Sequence, residues 1–176
     1  MHIRANGFTL RRPISICGID KEKGTLRIVF EVRGEGTAEL TRLNEGELID
    51  MLAPLGHGFT VDGNLDKVIL IGGGIGTPPM LPLAKIYGVK AVAISGFRNA
   101  SAVILQDDFK RTGADTVLCT DDGSAGYHGF VTDPLAKELE NGGIGMVYAC
   151  GPMPMLKRIA AMCAEKNVPC EISLEE

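Results

Sequence analysis

The strongest chemical signal in the chain is a glycine loop. Val68-Ile69-Leu70-Ile71 runs directly into Gly72-Gly73-Gly74-Ile75-Gly76-Thr77-Pro78-Pro79. Its spacing is Gly74-x-Gly76-x-x-Pro79, not the Gly-x-Gly-x-x-Gly of ordinary dinucleotide folds. Glycines permit a tight turn and let a ligand approach the backbone. A helix that follows presents N–H groups and a positive dipole end, which suit phosphate. Pro78 and Pro79 are expected in its first turn, where no donor is lost. A second site of this kind is Cys150-Gly151-Pro152-Met153-Pro154-Met155, after another apolar run. A cysteine there sits at a strand tip, where its small polarizable side chain can line a pocket. Each segment also reads as a plain structural turn, with Cys150 simply buried.

A dinucleotide site often uses a carboxylate after its second strand to hold ribose hydroxyls. That strand here ends in Ser95-Gly96-Phe97-Arg98-Asn99, and carboxylates appear later, at Asp121-Asp122. Arg98 suits a 2′-phosphate and the aspartates suit NAD, so both cofactors stay open on the residues alone. The five cysteines, Cys17, Cys119, Cys150, Cys163 and Cys170, contain no Cys-x-x-Cys. With His2, His57 and His128 scattered, no metal site is expected. The thiols are expected to be reduced and mostly buried.

The elements that must hold these residues fall into two textures, changing near Asp62-Gly63-Asn64. Residues 1–63 carry short alternating runs: strands at 13–17, 25–32 and 48–52, a turn at 20–24 and a short helix at 37–43. Residues 64–176 alternate apolar runs at 68–71, 91–95, 116–120, 145–150 and 171–174 with helical patterns at 78–87, 101–111, 133–140 and 154–166. That alternation predicts an α/β doubly wound five-stranded parallel sheet, preceded by antiparallel β structure. Of 176 residues 45% are hydrophobic and 23% charged, enough for a packed core. A net charge of −4 argues against a nucleic-acid surface. No run is long enough for a membrane span, and Met1–Gly7 lacks a signal-peptide core, so cytoplasm is expected.

Antiparallel β, then Gly-x-Gly-x-x-Pro, then Cys-Gly-Pro resembles the ferredoxin reductase superfamily. Arg12-Pro13-Ile14-Ser15 matches its flavin hallmark, Arg-Pro-x-Ser. Gly34-Glu35-Gly36-Thr37, Pro54-Leu55-Gly56-His57-Gly58-Phe59, Thr120-Asp121-Asp122-Gly123-Ser124, Gly129-Phe130-Val131-Thr132-Asp133 and Cys150–Leu156 narrow it. Together they are similar to the electron-transfer subunits of NAD-dependent dihydroorotate dehydrogenases. The resemblance implies a partial FAD-binding β-barrel over 1–63 and an NAD-binding α/β domain over 64–176. It implies hydride transfer from NADH to FAD, then electron flow through a 2Fe–2S cluster to an FMN-containing catalytic subunit in pyrimidine biosynthesis. By the same resemblance, Arg12, Pro13, Ile14 and Ser15 contact the flavin and its phosphates, and Gly36 and Thr37 cradle the pyrophosphate. Gly73, Gly74 and Gly76 accept the nicotinamide dinucleotide, with Asp121 and Asp122 favouring NAD(H). Cys150 and Gly151 flank the nicotinamide, and Ser15 and Cys150 stand nearest the reacting atoms, as the catalytic pair.

Two departures from the family shape the expectations. Relatives carry barrel strands ahead of Arg-Pro-x-Ser and a cysteine cluster beyond Ser173-Leu174-Glu175-Glu176, so the chain is expected to be shortened at both ends and to lack the cluster's ligands. The exposed barrel edge is then expected to form a homodimer contact or to be weakly ordered. Other readings are the flavin subunit of another NAD(P)H-dependent ferredoxin oxidoreductase, or a nucleotide-binding module without catalysis.

Overall fold

The computed structural model describes residues 1–174; Glu175 and Glu176, the end of the Ser-Leu-Glu-Glu motif, lie outside them. The chain divides into two compact units, Met1–Gly58 and Phe59–Glu176.

The first unit runs β1 (His2–Arg4), β2 (Arg12–Pro13), β3 (Ile16–Asp20), β4 (Thr25–Ile28), α1 (Glu35–Leu40) and β5 (Asp50–Leu52). Its strands form an antiparallel sheet of order β2-β1-β5 and a hairpin of β3 and β4. Asp20 shapes the hairpin turn, its carboxylate accepting from the Glu22 and Lys23 N–H groups. The expected strand at 13–17 is divided, because Pro13 pairs with His2 on one sheet while Ile16 pairs with Ile28 on the other. The strand expected at 25–32 stops at Ile28, and the helix expected at 37–43 is α1. β1, at the centre of its sheet, escaped the sequence reading because three residues are too short to show alternation. Ile3, Ala5, Ile14 and Leu40 are buried together, with Phe8, Ile28, Phe30 and Leu43 packed against them. The segment thus has a small core of its own.

The second unit runs β6 (Val68–Gly73), α2 (Met80–Tyr87), β7 (Ala91–Phe97), α3 (Gln106–Lys110), β8 (Asp115–Thr120), β9 (Tyr127–His128), α4 (Thr132–Asn141), β10 (Met146–Cys150), α5 (Met153–Glu165) and β11 (Cys170–Ser173). The sheet has six strands, not five, in the order β11-β10-β6-β7-β8-β9, all parallel. The sixth, β9, has two residues and no readable periodicity. Gly126 (φ +66°) brings it in, since any Cβ there would strike the Leu118 carbonyl oxygen. The helix expected at 101–111 is a 3-10 turn at Ala100–Ala102 followed by α3, because Leu105 takes a left-handed conformation (φ 64°) that breaks it.

Every residue of β6 is buried, as a strand covered on both faces requires. Ile69, Ile71, Ile94, Val147 and Ala149 meet Leu135 and Leu139 of α4 and Leu156 and Ile159 of α5. On the other face Tyr148 meets Tyr87 of α2, their hydroxyls 2.9 Å apart. Tyr148 donates to the Thr60 carbonyl at 2.6 Å, and the Asp62 N–H donates to Tyr87. These bonds draw residues 59–62 into the α/β unit, so it begins ahead of the change in sequence texture. Among the described residues, no helix is long and apolar enough to cross a membrane.

Candidate functional site

The chain leaves β6 toward β7, β8 and β9 on one side, and β10 and β11 lie on the other. The order therefore reverses between β6 and β10, the switch point where open α/β sheets bind ligands. Gly72 and Cys150 are register partners, so the two loops singled out from sequence emerge side by side.

They also touch. A Cβ on Gly76 would strike the Cys150 carbonyl oxygen and lie 2.5 Å from its carbon and 2.6 Å from the Gly151 nitrogen. Gly151 (φ +152°) leaves no room either: a Cβ there would lie 3.0 Å from the Gly73 Cα. Gly74 differs, with φ +53° and nothing within 4 Å of a would-be Cβ. Gly73 and Gly76 thus allow two loops to meet, and Gly74 turns the backbone toward open space.

Gly74–Gly76 form a 3-10 turn, and α2 starts only at Met80. The Met80 and Leu81 N–H groups bond the Thr77 and Pro78 carbonyls, so the proline pair lies ahead of the helix rather than in its first turn. Thr77 is fully buried, and its hydroxyl has no hydrogen-bond partner among the described residues. Cys150 is 2% exposed, so its side chain is not an open pocket wall. Met155, which the Cys-Gly-Pro motif contains but to which sequence gave no role, packs on both glycines: its Sδ lies 2.6 Å and its Cε 2.7 Å from would-be Cβ atoms on Gly73 and Gly151. The signal was the one-turn spacing from Gly151 to Met155.

The ends of β7 and β8 carry the ribose candidates. Asp122 accepts from the Ser124 N–H at 2.9 Å and its hydroxyl at 2.6 Å, and Ser124 Oγ accepts from the Ala100 N–H. Those bonds hold the Asp122 carboxyl below its ordinary value and commit it to the turn. Asp121 and Arg98 are exposed beside it. Cys119, beneath them, is pushed up to about 11 by burial and by the nearby Asp133 and Asp121 charges, so it stays a thiol at neutral pH.

In the first unit, the Arg12 guanidinium lies over Gly36, whose would-be Cβ would sit 2.5 Å from Nη2 and 2.6 Å from Nε. Nη1 donates to the Leu10 carbonyl, and the group lies 5.7 Å from the Phe8 ring centroid. Gly36 is what lets a cation reach the first turn of α1. Thr37 Oγ1 accepts from the Arg33 N–H and donates to the Gly34 carbonyl. Pro13 and Ser15 are exposed, whereas the Ile14 side chain belongs to the core.

No family model matches the sequence. Among curated proteins, the dihydroorotate dehydrogenase B (NAD(+)) electron transfer subunit of Bacillus caldolyticus is 42% identical over 173 residues, covering 95% of this chain and 65% of the relative. Its counterpart in Bacillus mycoides (strain KBAB4) is 39% identical over 186 residues, covering 100% of this chain and 69% of the relative. The chain belongs to the family of dihydroorotate dehydrogenase B electron transfer subunits. It spans about two thirds of the length of those family members. Among solved structures, an NADH-dependent reduced ferredoxin-NADP oxidoreductase superposes with TM-score 0.86 at 31% identity, over 99% of this chain and 64% of that one. The FAD/NAD binding domain of a Vibrio cholerae nitric oxide dioxygenase, at 20% identity and TM-score 0.77 over 98% of this chain and 81% of that one, shares the fold.

Proposed function

We propose that this chain takes a hydride from NADH onto FAD and passes electrons toward an FMN-containing dihydroorotate dehydrogenase catalytic subunit. The observation that carries the reading is the contact of Gly73 and Gly76 with the Cys150–Gly151 turn at the β6/β10 switch point. Both groups have residues that fit them. Gly74 opens the loop backbone to a dinucleotide, and the buried Thr77 hydroxyl adds an unused hydrogen-bonding group. Asp121 repels a 2′-phosphate and so favours NADH, while Asp122 shapes the turn that presents it. Arg12 over Gly36 is a forked cation suited to a pyrophosphate.

FAD, when bound, accepts a hydride and releases electrons one at a time. The chain's own part is to bind and orient. Arg12 and the first turn of α1 hold phosphate charge. Ser15, exposed just past the buried Ile14, offers a hydroxyl to the flavin edge. The backbone of the Cys150–Gly151 turn, rather than the buried Cys150 side chain, would support the nicotinamide. A hydride passing between two cofactors needs no tuned protein acid or base, so positioning dominates.

The test is anaerobic. FAD is added to the purified protein, unbound flavin is removed, and NADH follows. A bound flavin spectrum that NADH bleaches is expected, and a protein that binds neither group overturns the reading. The 31%-identical ferredoxin-NADP oxidoreductase favours a second acceptor, ferredoxin. Turnover with purified ferredoxin but not with a dihydroorotate dehydrogenase catalytic subunit would select it.

A further inference from the structure

The chain contains two Asn-Gly pairs, Asn6-Gly7 and Asn141-Gly142, and the fold treats them in opposite ways. An Asn side chain that precedes Gly is open to attack by the glycine's own backbone nitrogen, because no Cβ hinders the approach. That attack needs a nitrogen whose N–H is not engaged and a backbone free to bend. Asn6 and Gly7 are the central residues of the turn after β1, closed by the Phe8 N–H on the Ala5 carbonyl at 3.2 Å. Both are exposed. Gly7 is left-handed (φ 77°), and a would-be Cβ on it meets nothing within 4 Å. Among the described residues its N–H has no hydrogen-bond partner. Asn141 is also exposed, but it is the last residue of α4. The Gly142 N–H donates to the Glu138 carbonyl at 3.1 Å, the bond that caps the helix.

We propose that Asn6 is a deamidation site, at which the neutral turn between β1 and β2 becomes an anionic one, while Asn141 is protected by its helix. The step is a hydrolysis and needs no oxidant or cofactor. The Gly7 nitrogen gives up its proton and bonds to Cγ of Asn6. The Cγ–Nδ2 bond breaks and ammonia leaves, which closes a succinimide ring. Water then adds to one of the two ring carbonyls. Opening at Cγ leaves aspartate on an unaltered main chain. Opening at the Asn6 carbonyl carbon leaves isoaspartate, with the main chain rerouted through Cβ and Cγ and so lengthened by one methylene. Either product carries a carboxylate where an amide stood. The turn leads directly into Phe8, which packs on the core of Ile3, Ala5, Ile14 and Leu40, and the Arg12 guanidinium lies 5.7 Å from the Phe8 ring centroid. A new anion and a longer turn therefore act on the cation that suits the flavin pyrophosphate. That consequence rests on the proposed function, whereas the chemistry at Asn6 does not.

The test incubates the folded protein in mildly alkaline buffer, digests samples with trypsin and follows them by chromatography and mass spectrometry. Cleavage after Arg4 and Arg11, and after Lys137 and Lys157, places each Asn in its own peptide, 5–11 and 138–157, with no Gln in either. The 5–11 peptide should gain the mass of an acid in place of an amide and split into aspartate and isoaspartate forms. It should do so at least about fivefold faster than 138–157, the factor that one hydrogen bond of ordinary strength is worth. In urea, which melts α4, the Asn141 rate should rise to that of Asn6. Asn6→Gln should leave the 5–11 peptide unchanged, since a Gln side chain must close a larger ring. Aged protein should bind added FAD about two- to fivefold more weakly than fresh protein, the value of an exposed charge interaction, and Asn6→Gln should show no such difference. Equal rates at the two sites in the folded protein would overturn the proposal, as would aged protein, converted at Asn6, that binds FAD as tightly as fresh. Fresh protein that binds no FAD would overturn the functional reading instead, and the two peptide rates then decide the proposal.

Discussion

Replacing Gly76 with alanine tests the contact on which the functional reading rests. The added Cβ would strike the Cys150 carbonyl oxygen and stand 2.5 and 2.6 Å from the Cys150 carbon and the Gly151 nitrogen. All three obstacles are backbone. They are held by β10, which pairs with β6 on one side and β11 on the other. No rotamer change relieves the clash, so the tips of β6 and β10 must part. Overpacking of this kind costs about 1–3 kcal/mol, and a wholly backbone obstacle puts Gly76→Ala near the upper end. For a chain of this length each kcal/mol lowers the melting temperature by roughly 2–4 °C, so a drop of roughly 6–12 °C is expected. Gly74→Ala is the control. It meets nothing within 4 Å and pays only for a left-handed alanine, about 1 kcal/mol or roughly 2–4 °C. Thermal melts followed by circular dichroism give the first comparison, and calorimetric titration with NADH gives the second. Gly76→Ala should lose NADH binding along with stability. A Gly76→Ala protein that melts with its parent and binds NADH equally well would refute the contact between the loops, and with it the site.

Gly36→Ala should act differently, because its obstacle is the movable end of Arg12. Flavin affinity should fall by about 1.5–3 kcal/mol, the value of a hydrogen bond to a charged group, with the melting temperature nearly unchanged; retained flavin absorbance after gel filtration would count against Arg12. Asp121→Asn should narrow the preference for NADH over NADPH in a calorimetric comparison, and tighter binding of NADPH by the parent would mean that Arg98 governs the pocket. Asp50 accepts from Arg11 at 2.7 Å and pairs with Arg4, which holds its carboxyl below the ordinary 3.8. A depressed carboxyl contributes stability above its unfolded value and loses it as pH falls through its folded value. The stability gap between the parent and Asp50→Asn should therefore be present at neutral pH and close below pH 3.8, as read by urea denaturation across that range.

The α/β half was legible because its signals are local and repeated. A β-branched run such as Val68-Ile69-Leu70-Ile71, ending in glycines, reads as a strand covered on both sides, and Leu156, Ile159 and Cys163 mark one face of a helix by spacing. The glycine loop and the Cys-Gly-Pro turn were equally visible, since both need residue types that little else in a chain demands. Other features depend on contacts between distant segments. Strand order is one: nothing in residues 145–150 says that β10 lies beside β6, and only that adjacency makes Gly76 and Gly151 partners. β9 is another, because two residues hold no period and its place comes from Gly126 against Leu118. Arg12 over Gly36, and Asp122 bound into its own turn while Asp121 stays exposed, are likewise invisible in one dimension. Periodicity and turn chemistry are written along the chain, whereas which surfaces meet depends on how the sheet is ordered, and only the folded chain decides that.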